Sequence, residues 1–182
     1  MFDARKQQEQ LIYNAVITES DKETAEWIIS GKSCDSFPEN NEEWVKNTMD
    51  RLEYRFNADV VNKIRMNCQC GYAMDEKLEF LNTLISASAS LEEFANHESA
   101  RAAGLYTSNG ELFLQFNYCP CPILSEVEKL DKNTWCLCTT GYSKVLFEKA
   151  FNCQVEVELL NSIKMGDSKC LMKIILAGYQ WS

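Results

Sequence analysis

The sequence predicts an α+β protein in which N-terminal helices pack on a small antiparallel sheet formed by C-terminal hairpins. Three observations predict it. Apolar residues recur at three- and four-residue spacing through the first hundred positions; the pattern changes to strict alternation after Gly104; and turn residues at Ser108-Asn109-Gly110 and Met165-Gly166-Asp167 split the alternating segments into hairpins. A chain of 182 residues fits one domain, read as a helical half over about 1–103 and an α+β half over about 104–182.

An amphipathic segment over residues 2–17 opens the helical half, and Ser20-Asp21-Lys22-Glu23 reads as a capping box for a second helix through Trp27, Ile28 and Ile29 that Gly31 stops. Cys34 to Pro38 form a connector, in which Cys34 reads as a surface thiol. Val45, Met49, Leu52, Phe56, Val60 and Ile64 then predict one long helix ending near Asn67, where the turn residue Gly71 follows. Leu78, Leu81, Leu84 and Ile85 predict the next helix, and Ser90-Leu91-Glu92-Glu93 caps another that carries His97 and finishes at Gly104. The first hairpin presents Leu112, Leu114, Phe116 and Tyr118 to one face and leads into Cys119. A short helix over 125–130 and an amphipathic helix over 142–151 separate it from two closing strands, 154–160 and 169–176.

Composition narrows the class of function. With 46% hydrophobic and 25% charged residues the chain is built to fold rather than to stay disordered. Lys and Arg number 18 against 27 Asp and Glu, a net charge of -9, so nucleic acid is not expected as a partner. The first eight residues are too polar for a signal peptide, and no apolar run approaches a membrane span, which predicts a cytoplasmic protein.

In that reducing compartment nine cysteines are expected to stay free, bind metal or do chemistry. Six of them form three Cys-x-Cys pairs: Cys68 with Cys70, Cys119 with Cys121, and Cys136 with Cys138. Two thiolates one residue apart converge on one soft ion, and two such pairs complete the four-sulfur tetrahedron that zinc favours. An iron–sulfur cluster ranks behind zinc because familiar cluster runs use other spacings. Such a site would staple the helical half to the sheet half. The competing reading is a set of buried, inert thiols. Cys153 and Cys170 read as packing residues of the last hairpin.

The other chemistry-bearing residues point nowhere as firmly. His97, the only histidine, would be a metal ligand, a haem ligand or a base for a cysteine nucleophile, against the plainer reading of a solvated helix residue. Glu92, Glu93, Glu156 and Glu158 fit a solvated face. Trp27, Trp44, Phe56, Phe80, Phe94, Phe113 and Phe147 line either a ligand cavity or a core. There is no P-loop, dinucleotide fingerprint, nucleophile elbow or metalloprotease helix.

Residues 67–176 resemble an uncharacterised family of small cysteine-rich bacterial proteins. The resemblance rests on Asn67-Cys68-Gln69-Cys70-Gly71-Tyr72, Tyr118-Cys119-Pro120-Cys121, Trp135-Cys136-Leu137-Cys138 with Gly141, and Ser162-Ile163 through Gly166 and Cys170. The closing segment is also similar, more faintly, to four-vinyl-reductase-type ligand-binding domains and thiazoline-carboxylate hydrolase-like proteins, through Cys138, Gly141, Gly166-Asp167 and Cys170. That similarity implies an α+β domain that binds a small hydrophobic molecule or a metal, sometimes as a sensor. Related haem sensors use a Tyr-x-Ser-x-Arg motif that this chain lacks. The expectation is therefore a cytoplasmic domain holding zinc, a small hydrophobic ligand or both, with a thiol-dependent hydrolase as the alternative; enzyme activity and a homodimeric state are left open.

Overall fold

A computed structural model describes residues 3–31 and 40–181. The chain divides into two units that interleave along the sequence. The first comprises Met1–Cys70, Cys119–Gly141 and Lys164–Gly166, and the second Gly71–Tyr118, Tyr142–Ile163 and Asp167–Ser182. The division does not follow the change of period at Gly104, because the helices between Met74 and Ala102 belong with the sheet. The connector around Cys34 lies outside the described residues.

Four capped helices build most of the first unit: α1 (Ala4–Glu19), α2 (Lys22–Ser30), α3 (Asn41–Arg55) and α4 (Ala58–Met66). The cap of α2 is Asp21, whose carboxylate accepts the Thr24 N–H, and not Ser20, whose N–H instead closes α1 on Val16 O. A carboxylate meets the positive end of the helix dipole better than a hydroxyl does. Asn40 and Glu43 form a reciprocal capping box at α3.

The long helix expected through Ile64 is two helices. Phe56 takes an extended conformation (φ −126°, ψ 154°) and the Asn57 side chain accepts the Val60 N–H, starting a new helix. The apolar period continues across the break, which is why periodicity alone hides it. Ile12, Val16, Ile28, Trp44, Val45, Leu52, Val61 and Ile64 form this unit's core with Ile123, Leu124, Val127, Leu130 and Trp135.

No helix covers 125–130. Pro122–Leu124 makes a single 3₁₀ turn, and the segment beyond it is held by the Leu130 N–H donating to Lys164 O (2.7 Å) and by the buried Lys164 ammonium donating to Val127 O. Val127 and Leu130 stand three residues apart because both are buried loop anchors, a spacing that imitates a helix.

The second unit contains α5 (Met74–Ser86), α6 (Leu91–Asn96) and α7 (Glu98–Ala102) beside a four-stranded antiparallel sheet. Its strands are β1 (Leu105–Ser108), β2 (Glu111–Phe116), β3 (Gln154–Asn161) and β4 (Cys170–Ala177), in the order β1-β2-β4-β3. Asn109 and Gly110 both have positive φ (51° and 76°), the conformation a two-residue hairpin turn requires. Helix α8 (Leu137–Phe151) begins five residues before the start expected at 142. Within the second unit Leu81, Leu84, Phe94, Leu146, Phe147 and Phe151 pack with Leu105, Leu112, Leu114, Val155, Met172 and Ile174. Helices on an antiparallel sheet are thus confirmed, and among the described residues no helix is long and apolar enough to cross a membrane.

Candidate functional site

The first Cys-x-Cys pair is made by the way α4 ends. The Cys68 N–H donates to Arg65 O (3.1 Å), the Cys68 thiol donates to Ile64 O (3.1 Å), and the thiol is fully buried. Two consecutive glutamines of α1 hold the loop beyond. Gln8 Nε2 donates to Cys68 O (3.0 Å) and Gln7 Nε2 to Cys70 O (2.7 Å). Cys68 is a member of the unit's core, and Cys70 is half-buried.

The second pair follows β2 and precedes the Pro122–Leu124 turn, and the third closes the one-turn helix Asn133–Cys136 and enters α8. All six cysteines of the pairs therefore belong to the first unit. The staple expected between the helical part and the sheet is instead a gathering within one unit. Cys119, Cys121 and Cys136 are half-buried against its core, and Cys138 is buried in it.

Gly141 sets the approach of α8 to α4. A Cβ at this position would lie 1.9 Å from Met66 O, so only glycine allows the backbones so close. That contact brings the first turn of α8, with Cys138, to the end of α4, with Cys68.

Cys121 and Cys138 form a thiol pair. Donation by the Cys138 thiol stabilises the Cys121 thiolate and lowers its pKa from 9.0 to about 6, against the opposing effect of burial. The Trp135 indole N–H, otherwise without an acceptor, also favours that thiolate, as do the backbone N–H groups of Leu124 and Ile123. Cys138 is pushed the other way, first by this hydrogen bond and then by burial, while Arg65 pulls it down. Cys68 is raised by burial, and again Arg65 opposes the shift.

Arg65 is wholly buried. Its Nη1 donates to Gln8 Oε1 (3.2 Å), its Nη2 to Trp135 O (3.0 Å), and its guanidinium stacks 4.3 Å from the centre of the Trp135 ring. Trp135 in turn meets Trp44 edge to face at 5.4 Å. The Arg65 Nε–H finds no acceptor, and among the described residues no carboxylate pairs with this cation.

Cys138 thus meets Cys121, Cys68 and Arg65, and Cys68 also meets Arg65, whereas Cys70, Cys119 and Cys136 line the same unit half-buried. Among the described residues no three His, Cys, Asp or Glu side chains are arranged to hold a metal ion.

His97 stands apart, in the second unit. It interrupts the helix expected to run to Gly104 (φ −58°, ψ 136°), and its Nδ1 accepts the Ser99 N–H at the start of α7. A helix cap accounts for it. It also borders a surface groove of about 360 Å³ along α5, with Glu76, Glu79 and Phe80. Cys153 and Cys170 lie at opposite ends of the β3–β4 hairpin, since Gln154 pairs with Ala177 and Asn161 with Leu171.

Arg65, Gln8 and Gly141 are the site residues that the spacing of cysteines does not announce. Arg65 offered one signal, a basic residue three positions before Cys68, but a cation in the last turn of a helix is ordinarily a solvated partner of the dipole.

No curated protein matches this chain. Residues 1–181 match the family of unknown function DUF6144, and the chain belongs to that family.

Proposed function

We propose that the first unit is a thiolate centre that binds one soft metal ion, zinc in preference to an iron–sulfur cluster, through four of Cys68, Cys70, Cys119, Cys121, Cys136 and Cys138. The observation that carries this reading is the placement of all three pairs in one unit, although Cys70 and Cys119 stand 49 positions apart in the chain. The soft, all-sulfur donor set suits zinc. None of the eight described cysteines is joined in a disulfide, which suits a reducing, cytoplasmic setting. The fainter likeness to four-vinyl-reductase-type and thiazoline-carboxylate hydrolase-like proteins is in keeping with a small-molecule sensor role for the same domain. What supports that extension is the Cys138-to-Gly141 helix start and the Gly166-Asp167 turn, where Gly166 has φ +101°.

Protein purified without oxygen is expected to carry about one zinc per chain, to be colourless, and to lose the metal when Cys119 and Cys121 are both replaced by serine. Elemental analysis with a visible spectrum checks this. A folded, metal-free wild type sinks the proposal, and a brown chromophore replaces zinc by a cluster.

The pairing of Cys121 with Cys138 favours a second reading, thiol chemistry at Cys121. Its pKa lies below that of a free thiol, so the thiolate persists down to about pH 6 and is protonated below it. Iodoacetamide should then modify Cys121 of the metal-free protein with a rate that rises through about pH 6 and levels off before pH 8. A rate still climbing through pH 9 would show an ordinary thiol. With zinc bound, the same reagent should react slowly until a chelator is added, and this separates the two readings.

A further inference from the structure

Arg65 is a cation held in a site whose other fixed contacts are neutral. Its guanidinium touches the amide of Gln8, the carbonyl of Trp135 and the Trp135 ring, lies beside the neutral Cys68 thiol, and keeps its Nε–H without a partner. A buried charge without an opposite charge is costly, and replacement by an apolar residue would ordinarily be tolerated better. The contacts also show what the residue bridges. Gln8, which accepts from Arg65, donates through its other amide atom to Cys68 O; Trp135 O, which accepts from Arg65, immediately precedes Cys136. The guanidinium therefore ties the backbone of the first cysteine pair to that of the third.

We infer that Arg65 is the built-in counter-charge of the centre, and that the occupant it is built for is a net-negative metal–thiolate complex. The inference rests on the metal reading above. A divalent ion with four thiolates carries two negative charges, and a fixed guanidinium with a spare N–H neutralises part of that charge and offers a hydrogen bond to sulfur. Arg65 is thus a positioning residue. Partners of this kind, which do not touch the metal, change metal affinity by about 10- to 100-fold when removed.

The test compares zinc affinity in wild type, R65M and R65K, measured by competition with a chromophoric chelator at pH 7 and repeated across pH. R65M, which keeps bulk and loses charge, is expected to bind zinc at least 10-fold more weakly and to need a higher pH for half-maximal uptake. R65K, which keeps the charge but loses the planar fork and the stack on Trp135, is expected to bind zinc more tightly than R65M and more weakly than wild type. Where R65M does not fold, R65Q takes its place. A folded R65M or R65Q with wild-type affinity and an unmoved pH midpoint overturns the inference while leaving the metal reading intact. A folded R65K that loses zinc as completely as the neutral variants overturns it as well, because charge is then not what the site uses. A wild type that takes up no zinc removes both.

Discussion

Replacing Gly141 by alanine is expected to destabilise the first unit by about 2–3 kcal/mol, and two opposing effects decide the sign. Within an exposed helix the change from glycine to alanine stabilises by about 1 kcal/mol, through lower backbone entropy in the unfolded chain. Here the added Cβ would lie 1.9 Å from Met66 O, 2.7 Å from its carbonyl carbon and 2.9 Å from its Cα. Those are backbone atoms at the end of α4, and no rotamer change can move them aside. Relief requires α8 and α4 to separate, which opens the packing around Ile64, Trp135 and Cys138. Overpacking of this kind exceeds the gain in propensity. Urea unfolding should show a lower midpoint for G141A, and zinc uptake should weaken in parallel because Cys138 and Cys68 move apart. A midpoint equal to or above that of wild type would mean that the two helices do not meet through this glycine.

The parts of the fold that were legible in the sequence are those governed by local chemistry. The change of period at Gly104 and the Asn109-Gly110 turn mark the β1–β2 hairpin correctly, because a two-residue turn needs positive φ at both positions and few residues adopt it. The helix break at Phe56 was invisible for the opposite reason. Its apolar neighbours face one core before and after the break, so the spacing does not record that the backbone turned. The loop residues Val127 and Leu130 misled in the same way. At the site, the three cysteine pairs marked the candidate residues, and the sequence could not reveal that all of them would fall in one unit, since the second unit interrupts the first after Cys70 and again after Gly141. Arg65 shows the limit most clearly. Its burial depends on Gln8 and Trp135, which stand 57 and 70 positions away along the chain.

Trp135→Ala should be the most damaging single change in the first unit, with a loss of about 3–5 kcal/mol for the cavity alone. The side chain is fully buried, packs edge to face on Trp44 and supports the Arg65 guanidinium on its ring. A desolvated cation–π contact adds about 2 kcal/mol to what alanine removes. Phenylalanine at the same position separates packing from electrostatics. Its ring still fills most of the space and presents a face to Arg65, so W135F should keep most of the stability. It lacks the indole N–H, one of the groups that favour the Cys121 thiolate. The pH at which Cys121 of the metal-free protein becomes reactive should therefore rise in W135F, a shift that a purely packing role for Trp135 does not produce. Thermal unfolding of W135A and W135F, paired with the pH profile of alkylation in W135F, checks both parts. An unmoved profile would assign the low pKa of Cys121 to Cys138 and the backbone alone, and a W135A protein as stable as W135F would show that the contacts of Trp135 with Arg65 and Trp44 do not hold this unit together.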